Sequence, residues 1–223
     1  SINTLTAQNP NVNLINVDFL DITNQAYFQT IFVQKFLMGG GFEYKYLKID
    51  SPTLNNTVNT IEKSSYLSLF GYLKYDTFDS KSFPRSGWYF STDLQTYLAS
   101  SDYTRQFKPF SIAKAEIAFV KTFFRKATFK IDADAGFNIG SDSVPFFDFI
   151  LGGYGYSKIN NFNYFYGYDF LSIAGNSFIK TGITLDYEIF KKNHLNFSAN
   201  FANIDYNLFE SKDWYGKPKY SGY

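Results

Sequence analysis

Apolar and polar residues alternate one for one along much of the chain. In "ATFKIDADAGFNI", residues 127–139, Ala127, Phe129, Ile131, Ala133, Ala135, Phe137 and Ile139 fall on one face. Thr128, Lys130, Asp132, Asp134, Gly136 and Asn138 fall on the other. Successive side chains of a strand point to opposite faces, so a period of two predicts a strand here. At 178–190, Ile179, Ile183, Leu185, Tyr187 and Ile189 oppose Lys180, Thr184, Asp186 and Glu188. Further strands are predicted at 194–203, 111–124 and 87–98, less regular ones near 26–36, 38–48 and 66–76, and a weak one at 14–20. No segment carries a helical period.

These strands run about ten to fourteen residues, against a mode of roughly five or six in soluble sheets and about nine to eleven for a strand that crosses a bilayer. Short turns at 123–128 and 190–194 alternate with long polar connections at 51–65 and 152–177. Short turns at one end and long loops at the other are the pattern of an outer-membrane barrel. A soluble β-sandwich or lipocalin-like barrel is the competing architecture, since it also buries an alternating face.

Composition tilts that choice. The chain has 27 Phe, 19 Tyr and 2 Trp in 223 residues, yet its mean hydropathy is only −0.23. The aromatics gather near strand ends, at Trp88 to Phe90, Phe123-Phe124 and Tyr187 to Phe190, where interfacial girdles sit. Lys121 interrupts an apolar face, but close to the turn at Arg125-Lys126, where a lipid-facing lysine costs only about 0–1 kcal/mol. The fold class is therefore all-β, an antiparallel transmembrane β-barrel, with outer-membrane lipid as its first partner.

Charge and chemistry exclude several functions. The net charge is +1 with basic residues scattered, so no nucleic-acid partner is indicated. There is no cysteine and a single histidine, His194, which removes thiol chemistry, disulfides and multi-histidine metal sites. No Gly-x-Ser-x-Gly elbow occurs; "GSDSV" (140–144) and "GNSF" (175–178) do not fit it. Asp132 and Asp134 share a face but read as a charged lumen wall balanced by Lys130, and His194 as a lumenal or solvated side chain. Asp76 and Asp79 are two carboxylates without the loop of a calcium site. No enzyme activity and no cofactor are expected of these residues.

Two segments carry a family likeness. "YDTFDSKSFPRSGW", residues 75–88, resembles the hairpin signature of BamA-type barrels, the bacterial surface antigen superfamily: an Asp-rich strand end (Asp76, Asp79), then Phe83-Pro84-x-x-Gly87. Pro84 presets its φ for a turn and Gly87 can take positive φ as the chain re-enters the sheet, so the stretch reads as a rim turn. Residues 146–189 resemble the family's inward-folded loop, with Gly152-Gly153 as its glycine pair and Phe165-Tyr166-Gly167-Tyr168 at its Val/Ile-Arg-Gly-Phe/Tyr position. The closest pattern is the barrel at the C-terminus of patatin-like phospholipases.

The resemblance implies a sixteen-stranded barrel, of which 1–223 would form a single domain holding the middle-to-late part, without the first and last strands. It also implies a role in anchoring or translocating a passenger polypeptide in the bacterial outer membrane, with a phospholipase domain upstream as the passenger. A complete small pore or ligand-binding barrel, with Tyr154, Tyr156, Tyr164, Tyr166 and Tyr168 in its loops, is the alternative. The family's loop arginine is Tyr166 here, and the aspartate and glycine of its wall motif are Asn200 and Ala202. Both ends of the family's ion pair are thus neutral, which strands no charge. The expectation is a neutral latch formed by Tyr166, Gly167, Tyr168 and Asn200, set against a tyrosine-rich surface loop with no latch.

Overall fold

A computed structural model describes residues 2–3, 16–52, 58–81, 83–101, 107–140, 145–154, 161–169, 172–190, 193–206, 208 and 217–223. One antiparallel sheet dominates it. Its long strands are β2 (Asn16–Phe32), β3 (Phe36–Pro52), β4 (Val58–Asp76), β5 (Ser86–Ser100), β6 (Phe110–Phe123), β7 (Ala127–Ile139), β11 (Ser177–Phe190) and β12 (Asn193–Asp205). Short strands β1 (Ile2–Asn3) and β13 (Tyr220–Gly222) flank them, and the order runs β1-β2-β3-β4-β5-β6-β7-β11-β12-β13. Between β7 and β11 the chain forms a separate three-stranded sheet from β8 (Phe149–Leu151), β9 (Phe162–Asn163) and β10 (Ile173–Gly175), in the order β10-β8-β9. A single 3-10 turn, Pro145–Phe147, leads into it.

The two faces of the main sheet differ as the alternation requires. Phe42, Leu94, Ile117, Ile131, Leu185 and Phe197 stand exposed on one face, Phe42 at 63%. A contiguous apolar face of this kind is not a solvated one; it is what lipid demands. On the other face, Leu47 of β3, Tyr66 of β4, Tyr97 of β5, Phe110 and Ile112 of β6, Phe178 of β11 and Ile204 of β12 share one buried cluster with Phe147, Phe149, Leu151 and Phe165 of the connection. Side chains from six strands converge on one segment, so the sheet wraps around it. That inner face is the lumen side.

The short turns lie at one end. Val33 and Gln34 take φ of 51° and 57°, and Phe124 and Arg125 take 49° and 64°. Paired left-handed residues match the twist of a tight hairpin. Phe124 is 96% exposed and Phe190 72%, and with Trp88 they form an aromatic rim at this end. Lys121 is exposed two residues from the end of β6, beside that rim.

Three expectations needed correction. The weak strand at 14–20 and the strand at 26–36 are one strand, β2, and the hairpin turns at 33–35. Asn24 and Ala26 dilute its outer face, while Asp21 and Gln25 on the other face pair with Lys45 and Glu43 of β3 (3.2 and 2.6 Å). The connection expected at 51–65 is mostly strand, since β3 runs to Pro52 and β4 starts at Val58. Asp50, Ser51 and Pro52 of β3 pair with Thr60, Asn59 and Val58 of β4, and a bulge at Ile49/Asp50 shifts the register. The connection at 152–177 contains β9 and β10 rather than loop alone.

Candidate functional site in the lumen

The rim turn is built from its own sequence. Thr77 closes it: its N–H donates to the Trp88 carbonyl (2.9 Å), and its hydroxyl both accepts from Trp88 N–H (2.8 Å) and donates to that carbonyl (3.0 Å). Asp79 Oδ1 accepts from the N–H groups of Arg85 (2.7 Å) and Ser86 (3.2 Å), and Asp76 Oδ1 accepts from Phe78 N–H (2.8 Å). The two aspartates are thus backbone caps. The Arg85 amide, first among the causes, holds the Asp79 carboxyl below its ordinary range. Gly87 sits at φ 129°, and a Cβ there would lie 2.5 Å from the Thr77 carbonyl oxygen.

Between its caps the turn reaches inward. The Phe83 ring stacks on the His194 ring of β12 at 4.6 Å and 14°. Arg85 secures the crossing, as its carbonyl accepts from the Thr122 hydroxyl (2.8 Å) and its guanidinium donates to the Arg125 carbonyl. The turn between β4 and β5 therefore straps the lumen face at the short-turn end, over β6, β7 and β11. His194 Nδ1 also lies 2.8 Å from Asp186 Oδ2.

The connection between β7 and β11 docks on the same face. Gly152 and Gly153 take φ of 140° and 77° and turn the chain out of β8. Gly152 N–H donates to the Asn163 carbonyl (3.2 Å), Gly153 N–H to the Tyr168 carbonyl (2.8 Å), and Phe165 N–H to the Gly153 carbonyl (3.2 Å). This folds 161–169 back on β8 and buries Phe165 completely. Tyr168 meets Phe165 (5.3 Å) and, edge-on, Tyr220 of β13 (5.8 Å). Tyr156 lies outside the described residues.

The tip of the loop meets the wall at Asn200. Tyr166 N–H donates to Asn200 Oδ1 at 2.8 Å. Asn200 pairs across the sheet with Gly222 of β13, and a Cβ on Gly222 would lie 1.7 Å from the Tyr166 carbonyl oxygen. The tip thus rests on main chain that only glycine permits. The contact uses the backbone of residue 166; the Tyr166 ring packs beside those of Tyr154 (5.5 Å) and Tyr164 (5.6 Å).

A second anchor was not anticipated. Lys180 of β11 is 1% exposed, and its Nζ lies 2.7 Å from Oδ2 of the equally buried Asp134, its cross-strand neighbour on β7. The same ammonium sits 4.0 Å from the centroid of the Tyr164 ring. Asp134 is therefore balanced by Lys180, and Lys130 pairs with Asp132 at 3.4 Å instead. A cation on the wall faces an aromatic ring on the loop, an attraction worth up to about 2 kcal/mol when desolvated. On a polar strand face such a lysine looks solvated, and its burial follows from a loop that local pattern does not place.

The two motif groups converge. Phe83 and Pro84 of the strap and Tyr166 and Gly167 of the loop line one cavity of about 570 Å³. Asp76, Asp79 and Gly87 stay in their turn, and Tyr168 faces β13. Among the described residues no group of His, Cys, Asp and Glu is arranged to hold a metal ion.

A family model described as the OMP85 superfamily matches residues 1–223. No curated protein matches the chain. Among solved structures, the chain is similar to BamA from Haemophilus ducreyi lacking POTRA domains 1-3, with a TM-score of 0.66 and 12% sequence identity. That likeness covers 93% of this chain and 47% of the other, so the chain spans about half the length of the BamA structure it matches.

Proposed function

Because this chain belongs to the OMP85 superfamily, as a BamA-like outer-membrane β-barrel, we propose that it anchors or translocates a passenger polypeptide in the bacterial outer membrane. The observation that carries this reading is the loop docked inside the lumen through Tyr166 and Asn200. A neutral amide contact contributes only about 0.5–1.5 kcal/mol net. Releasing it leaves no charge buried, so the tip can leave the wall and return. The apolar outer face is the lipid contact, and the rim aromatics fix its height in the bilayer.

The passenger in this reading is a patatin-like phospholipase domain upstream in the same polypeptide. Its support is the likeness of the chain's overall motif pattern to the C-terminal barrel of such enzymes. An open pore draws no support from the packing of Phe147, Phe149, Leu151 and Phe165 against the wall. The test is the intact mass of the native polypeptide from outer membranes, combined with phospholipase assays on whole cells. A mass several-fold above 25.7 kDa, with surface activity that falls in Asn200→Ala, is expected. A native polypeptide of about 25.7 kDa contradicts the reading.

A further inference from the structure

We propose that the lumen cavity is a saccharide-binding site. This inference is independent of whether the barrel moves a passenger. It starts from the strand register. Lys130, Thr184 and Ser198 are cross-strand neighbours on β7, β11 and β12, and Thr128, Asp186 and Asn196 form the next such row. All six side chains line the cavity. Neighbouring strands lie about 4.8 Å apart, so each row offers polar groups at roughly the ~5 Å repeat of a pyranose chain.

The chemistry of the rows fits hydroxyl groups. Threonine, serine and asparagine side chains both donate and accept, as sugar hydroxyls do. Asp186 spends Oδ2 on His194, and its Oδ1 has no partner among the described residues. Phe83 and Pro84 of the strap and Tyr154 and Tyr166 of the loop also line the cavity. The two tyrosine rings lie 5.5 Å apart, and Tyr154 is 84% exposed. Such rings offer apolar faces to the C–H faces of a sugar ring.

Other ligand classes fit less well. Lys130 lies 3.4 Å from Asp132 and Asp186 2.8 Å from His194, so the charges in the rows are already partnered, which suits neither a polyanion nor a cation. An extended peptide is recognised by adding to a sheet edge, but β11 is paired on both sides, with β7 and β12. A lipid chain would leave the buried Asp186 Oδ1 without a partner. The volume lies within the ~300–1,000 Å³ usual for small-ligand sites.

The test is isothermal titration calorimetry on the full chain in a detergent without a sugar headgroup, using tri-N-acetylchitotriose and maltotriose as probes. Saturable binding of at least one probe is expected, weakened about tenfold by Tyr154→Ala and by Asn196→Ala separately, the loss of about one good contact. The two substitutions lie on different elements, so a fold defect in one does not mask the other. No heat from either probe overturns the proposal. Binding that neither substitution weakens places the sugar elsewhere and overturns it equally.

Discussion

The backbone N–H of Tyr166 donates to Oδ1 of Asn200 across 2.8 Å, so the loop tip is held by its main chain and not by its phenol. Two substitutions separate these roles. Asn200→Ala removes the acceptor of this part-buried N–H, at a cost of about 0.5–1.5 kcal/mol. Hydrogen exchange at the Tyr166 amide should then accelerate. Tyr166→Phe keeps the amide bond and should leave that exchange rate nearly unchanged. Equal acceleration in both variants would show that the phenol does the holding.

Lys180 and Asp134 are both buried and 2.7 Å apart. Removing either partner strands the other charge, at about 3–5 kcal/mol, whereas replacing both with apolar groups need not destabilise. Lys180→Met and Asp134→Leu should each lower the thermal unfolding temperature in detergent, and the double variant should recover most of the loss. A residual deficit in the double variant would include the lost contacts of the ammonium with the Tyr164 ring and carbonyl.

At Gly222 the prediction is steric. A methyl group there would overlap the Tyr166 carbonyl oxygen, 1.7 Å from the ideal Cβ position. Either the loop tip or β13 must shift, at about 1–3 kcal/mol for an overpacked contact. Gly222→Ala should therefore raise hydrogen exchange at Tyr166 although position 222 makes no hydrogen bond to that amide. Protection equal to that of the unsubstituted chain would mean that β13 yields instead.

The strap should respond to acid. Asp79 has a depressed carboxyl because it accepts from the Arg85 and Ser86 amides. A depressed folded-state value contributes stability that is present above the ordinary aspartate range and is lost as pH falls through the folded value. Exchange at the Arg85 and Ser86 amides, corrected for intrinsic rate, should rise only below about pH 4. Asp79→Asn should abolish that dependence.

How much of this was legible in the sequence varies by segment. Residues 127–139 match β7 residue for residue, and 178–190 fall within β11, because each of their faces is committed to one environment. The stretch at 58–65 lacks such a commitment. It is strand only because β3 pairs with it, and no alternation signals that. The meeting of Tyr166 with Asn200 could be expected from the order of family motifs, but not from any period. Gly222 escaped notice because a three-residue strand has no pattern to read. The Phe83 ring on His194 is a contact between a turn and a strand distant in sequence, visible only once the sheet is curved.

One face of these strands meets lipid and the other a wet lumen. The chain contains no cysteine, so single cysteines introduced along β11 report on each face without background. In native membranes, Ile183→Cys and Leu185→Cys should react with a lipid-soluble maleimide and resist a charged, membrane-impermeant one once both sides of the membrane are open to it. Thr184→Cys, between them, should show the reverse. Equal reaction of all three with the charged reagent would contradict the account and place these strands in a soluble protein.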